Sequence, residues 1–196
     1  MIPTYLDKLQ LQQVFFAYTS DVGKHICEAV LDMHIVDSEK KRVCGFVTAS
    51  FGQEEDNAGE YFSVRTPSGK PFSLMPIDNG IIKKNVGPAT KKCDCAVAND
   101  TSLCFIEFKT KVFSANPLTI DSAYRKAIAQ LSATIALFDN YHITRGVDFR
   151  DLRDVEAFIC FKQGYPRTTS SQMFYQISFA ESNKGIPLSF DREKIL

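Results

Sequence analysis

Apolar residues along this chain fall into short alternating runs, broken by polar turns, and into one long helical stripe past the middle. Runs rich in β-branched and aromatic residues predict strands at 43–50, 61–66, 72–75, 93–98, 103–109 and 155–162, with a short closing strand at 186–190. Ile120, Tyr124, Ala127, Ile128, Leu131, Ile135 and Phe138 recur at helical spacing and predict a helix over 120–140, with Thr119 or Asp121 near its start. Two earlier helices are predicted. One covers 5–18, and the other covers 20–33, where Val22, Ile26, Ala29, Val30 and Met33 form a stripe behind Ser20. Pro67-Ser68-Gly69-Lys70 reads as a turn that makes a hairpin of 61–66 and 72–75. Asn99-Asp100-Thr101-Ser102 does the same for 93–98 and 103–109. A strand, a long helix and a further strand then predict a right-handed crossover, with 155–162 parallel to 103–109.

The second hairpin carries charges where a buried strand should have none. Side chains alternate across a strand, so Glu107 and Lys109 share one face while Ile106 and Phe108 share the other. If the strands pair about the Asn99–Ser102 turn, Asp94 comes opposite the Glu107–Lys109 end. Two carboxylates that close repel unless a positive charge lies between them. A hard divalent cation with oxygen ligands, such as Mg²⁺ or Mn²⁺, meets that need, since one or two carboxylates with water and phosphate complete its shell. A solvated edge strand with a Glu-Lys pair would carry the same local pattern.

Asp94 on one strand and Glu107-Phe108-Lys109 on the next, followed by a helix, resembles the active-site signature of the PD-(D/E)XK nuclease superfamily. The match covers about residues 90–140, and Cys93 stands where many members have proline. The resemblance implies an α/β fold with a restriction-endonuclease-like core, a mixed central sheet flanked by helices in the order αβββαβ. It implies Mg²⁺- or Mn²⁺-dependent hydrolysis of nucleic acid, DNA foremost, leaving a 5′-phosphate and a 3′-hydroxyl. Asp94 and Glu107, with the Phe108 backbone carbonyl, would then hold the metal, and Lys109 would orient water or stabilise the transition state. A glutamine on the following helix would approach the site, which nominates Gln130, otherwise a polar residue at the border of the stripe. An extra acid from a helix before the sheet would be Glu28, which a Lys24–Glu28 surface pair explains equally simply. A silent member of the fold that binds nucleic acid or a protein partner, in defence or immunity, is the alternative.

Composition narrows the partners. Twenty-three Lys and Arg balance 23 Asp and Glu, so any nucleic-acid contact has to come from a local patch. Lys83, Lys84, Lys91 and Lys92 before Asp94, and Arg125 and Lys126 on the solvent side of the long helix, are the candidates. Six cysteines without a Cys-x-x-Cys pair or a histidine cluster fit reduced core thiols better than zinc ligands. No apolar run reaches the length of a membrane span, and no secretory signal is visible, so a cytoplasmic single domain over 1–196 is expected. Homodimerisation is left open.

Overall fold

The computed structural model describes residues 1–48, 60–83, 91–165 and 169–196, with the side chains of 169 and 170 excepted. The N-terminal segment turns through a 3₁₀ stretch at Thr4–Leu9 and a single helical turn, α1 (Leu11–Val14), both burying leucines. Strands β1 (Cys27–Ala29), β2 (Met33–Ser38), β3 (Val43–Phe46), β4 (Phe62–Arg65), β5 (Phe72–Pro76), β6 (Cys95–Ala98) and β7 (Ser102–Lys109) follow. Then come helix α2 (Pro117–Ile143), strand β8 (Asp154–Phe161), helix α3 (Thr169–Ser182), and strands β9 (Leu188–Ser189) and β10 (Glu193–Ile195).

The strands form two mixed sheets. The larger runs β1-β5-β6-β7-β8-β9, antiparallel as far as β7 and parallel from β7 to β9. The smaller runs β10-β4-β2-β3. One hydrophobic core lies between the helices and the larger sheet, where Leu103, Phe105, Ala96 and Ile159 meet Tyr124, Leu131, Phe138 and Phe179. A second core lies between the sheets, where Cys95, Val97, Cys104 and Ile106 meet Ile35, Cys44, Phe46 and Phe62. Helices therefore cover one face of the central sheet, and the four-stranded sheet covers the other.

The β6–β7 hairpin, α2 and β8 occupy the predicted order, and β8 lies parallel to β7 along eight residues. α2 begins earlier than the stripe suggested. Asn116, rather than Thr119 or Asp121, caps it by accepting the Leu118 N–H at 2.9 Å, and Pro117 takes the first turn, where its missing N–H costs nothing.

Four expectations fail. The helix over 5–18 is instead a 3₁₀ stretch and one helical turn, separated by Gln10 at φ +50°. The helix over 20–33 is instead a 3₁₀ turn at Val22–Lys24, then β1 and the start of β2. Its stripe is not a buried face, since Val30 is 54% exposed. The hairpin of 61–66 with 72–75 does not form. β4 joins the small sheet and β5 the large one, so the Thr66–Lys70 turn carries the chain between layers. The 93–98 strand is shorter than expected and starts at Cys95, with Cys93 in the helix-side core and Cys95 in the core between the sheets. β3 ends at Phe46, and the end of the predicted 43–50 strand lies outside the described residues. Residues 173–181 are helical, within α3.

Candidate active site

The geometry of the site follows from where the β6–β7 ladder stops. Cys95 pairs with Ile106 and Val97 with Cys104, and the Asn99 N–H bonds the Ser102 carbonyl at 3.1 Å. Hydrogen-bonded pairs alternate along an antiparallel ladder, so Cys93 and Phe108 are the next such pair. Both of their N–H groups are diverted. The Phe108 N–H donates to Asp94 Oδ2 at 2.6 Å, and the Cys93 N–H donates to Thr134 Oγ1 on α2 at 2.8 Å. A carboxylate thus replaces the ladder at its last rung, in the gap between the two strands.

Asp94 is held from behind as well. Its carbonyl accepts N–H bonds from Ile77 at 2.9 Å and Asp78 at 3.1 Å, in the turn that follows β5. That turn needs Gly80, because a Cβ there would stand 2.1 Å from the Pro76 carbonyl oxygen.

Continuing the register places Glu107 directly across from Asp94. Glu107 is 1% exposed, its Oε1 accepts from the Lys109 ammonium, and its Oε2 has no hydrogen-bond partner among the described residues. Lys109 Nζ also donates to Gln130 Oε1 at 3.1 Å, and Gln130 Nε2 donates to the Lys92 carbonyl at 3.1 Å. α2 therefore presents two polar residues, one turn apart, to the end of the hairpin. Thr134 fastens Cys93, and its hydroxyl donates back to the Gln130 carbonyl at 3.1 Å.

Burial pushes both acids toward their neutral forms. Desolvation and then the Asp37 carboxylate raise Asp94 from its ordinary 3.8 to about 7, against the lowering pull of the Phe108 N–H and Lys109. Desolvation and then Asp94 push Glu107 well above the usual carboxylate range, and Lys109 opposes them. The sign of the consequence follows from linkage: a group whose pKa is higher folded than unfolded contributes stability below its unfolded pKa and loses it as pH rises through the folded one. The metal-free chain therefore loses stability between about pH 4 and pH 8 on account of Asp94. Asp94→Asn keeps an oxygen for the Phe108 N–H and removes that loss. In chelator at pH 8 its Tm is expected to lie above wild type by about 2–8 °C, an effect on the order of 1–2 kcal/mol in a chain of this size, and the gap should close at pH 4. A thermal melt of both proteins across that range checks it, and a variant less stable at pH 8 refutes it.

Of the expected cations, Lys91, Lys92, Arg125 and Lys126 line one cleft of about 670 Å³ together with Asp78, Asn79 and Gln130. Two of these are partly neutralised, Arg125 by Asp121 at 2.7 Å and Lys92 by Asp78 at 3.2 Å. Lys83 is exposed and donates to the Asn79 carbonyl at 2.8 Å, and Lys84 lies outside the described residues. A second cleft beside it is lined by Lys109, Ser122 and Lys126.

Glu28 does not join the site. It sits exposed on β1, paired with Ser73, which pairs with Ala98, four residues along β6 from Asp94. That is about 13 Å along the strand and two strands across. Lys24 pairs with Asp21 at 3.4 Å rather than with Glu28.

Sequence reasoning missed Asp37, Asp78 and Thr134. Only Thr134 left a trace, as a polar residue one turn beyond Gln130 on the α2 stripe. Asp37 and Asp78 come from elements remote in sequence, and nothing local marks them.

The donor set suits a hard cation. Two adjacent carboxylates, one of them with an orphaned buried oxygen, lie next to the Phe108 carbonyl, which leaves the strand on the same edge as the N–H that Asp94 accepts. Among the described residues no group of three or more His, Cys, Asp or Glu side chains is gathered closely enough to cage a metal directly. All six cysteines are free thiols, five of them buried. No helix among the described residues is long and apolar enough to cross a membrane. Comparison with protein-family models, with curated proteins and with solved structures finds no match to this chain.

Proposed function

We propose that the chain is a divalent-metal-dependent nuclease of the PD-(D/E)XK type, built on the β5-β6-β7-α2-β8 unit. The observation that carries this reading is the meeting of Asp94, Glu107, Lys109 and Gln130 at the open end of one hairpin, beside a cleft lined by four basic residues. Charges on buried strands are costly, and a set this specific in type and order calls for a use.

Asp94 and Glu107 would hold Mg²⁺ or Mn²⁺ with the Phe108 carbonyl. The ion, when bound, supplies a lowered pKa for its water and neutralises charge on the phosphate. Lys109 donates hydrogen bonds to the attacking water or to a non-bridging phosphate oxygen, where charge builds in the transition state. Gln130 keeps that ammonium on station by bonding it while anchored to the Lys92 backbone. Water oxygen bonds to phosphorus as the P–O3′ bond breaks, and the proton passes to the departing 3′ oxygen. Lys91, Lys92, Arg125 and Lys126 bind backbone phosphates in the one cleft they line, which suits DNA without reading its sequence.

One observation favours a second reading, a silent nucleic-acid-binding member of the same fold: Glu107 is almost wholly buried and already engaged by Lys109. Incubating the purified chain with plasmid, single-stranded DNA and RNA, in Mg²⁺, Mn²⁺ or chelator, separates the two. Metal-dependent cleavage is the expected result. Binding without cleavage supports the silent reading, and neither binding nor cleavage refutes both.

A further inference from the structure

We infer that Asp37, on the four-stranded sheet, is a third acid of this cation site and acts on the hydration shell of the ion. The inference rests on the metal-dependent reading above.

Alternation along β2 places Asp37 on the same side as Ile35, the side packed against the central sheet. Its partner across the β2–β3 ladder is Cys44, whose thiol lies 4.0 Å from Asp37 Oδ1 and packs in the same core as Cys95, the neighbour of Asp94. Asp37 and Asp94 line one cavity of about 490 Å³, with Asp78, Glu39 and Arg42 also on its wall. Because the ladder has ended, the Asp94 carboxylate lies between the strands, where groups from either face of the sheet can approach it. Glu107 and Lys109 come from the helix side, and Asp37 comes from the other.

One further fact indicates that a cation belongs among these acids. Glu107 Oε2, buried and without a partner among the described residues, belongs to the carboxylate across the register from Asp94, and the charges of Asp94 and then Asp37 both disfavour its ionised form. The size of the space sets the mode of contact. Six waters fill about 180 Å³ at ~30 Å³ each, so the cavity admits a hydrated ion with room for a phosphate. Mg²⁺ gives up its waters reluctantly, and a carboxylate on those waters adds to its affinity.

The test is Mn²⁺ binding to the full chain, read as free Mn²⁺ by electron paramagnetic resonance, with melting in chelator alongside. Asp37→Asn should weaken Mn²⁺ binding by about tenfold or more, as loss of outer-shell partners commonly does. Its Tm in chelator should stay close to the wild-type value, because a carboxylate that opposes ionisation of Asp94 has gone while the amide keeps the shape and an acceptor oxygen. Glu39→Gln, on the same wall and largely exposed, should leave Mn²⁺ affinity within about twofold. Unchanged affinity in Asp37→Asn overturns the inference. So does an equal loss in Glu39→Gln, which would assign the effect to the summed field, or a large drop of Tm in chelator, which would make Asp37 structural. A wild-type chain that binds no Mn²⁺ refutes the nuclease reading itself.

Discussion

Lys109→Ala is expected to lower the rate of phosphodiester cleavage by about 10²–10³-fold, the usual cost of deleting one preorganised donor aimed at a developing oxyanion. The loss should fall on kcat, since the clustered cations of the neighbouring cleft still hold the substrate. Stability should change far less than activity. Removing the ammonium leaves Glu107 without its ion pair in a site where burial already favours the protonated acid, so the carboxyl neutralises instead of standing as a bare buried charge. A cost of about 1–2 kcal/mol, or roughly 2–8 °C in Tm, is anticipated. Steady-state cleavage of a labelled DNA, with melting on the same preparation, measures both. A variant that cuts at the wild-type rate removes Lys109 from the chemistry.

Phe138→Ala should produce the largest loss of stability, about 3–5 kcal/mol, from lost burial and the cavity left behind. Phe138 is fully buried and touches Phe15 edge-on at 5.7 Å, Phe105 at 5.2 Å and Phe149 at 5.8 Å between ring centroids. One ring therefore joins the N-terminal segment, the charged strand β7 and the lead-in to β8 to a single helix. The expected fall in Tm is roughly 6–20 °C. Because α2 also carries Gln130 and Thr134, metal-supported cleavage should decline at temperatures where the fold still persists. Melting curves and a temperature series of cleavage rates test this, and a fall in Tm below ~2 °C would show that the contact matters little.

The central unit was legible from sequence because each signal there is local. The Asn99–Ser102 turn, the alternation through Phe105-Ile106-Glu107-Phe108 and the stripe from Tyr124 to Phe138 are each contained in one element. Gln130 is nominated by the family resemblance, and helix phase adds only that it borders the stripe that packs on β7. The first third was not legible. Val22, Ile26 and Val30 imitate a helical face, yet the chain there splits its apolar residues between two cores and the surface, and periodicity cannot tell which layer a short strand joins. The turn at Thr66–Lys70 illustrates the same point: it has hairpin chemistry but serves to cross between sheets. Asp37 escaped for a related reason. Its closeness to Asp94 exists only once the two sheets are stacked.

The bond from Phe108 to Asp94 has an implication for how freely this region could vary. What grips the acid is a main-chain amide, an atom that nineteen of the twenty amino acids would bring to position 108 and proline alone would not. Exchanging the phenyl ring would disturb the packing between the sheets while leaving that grip in place, so the alignment of the acid is insulated from side-chain drift at its own anchor point.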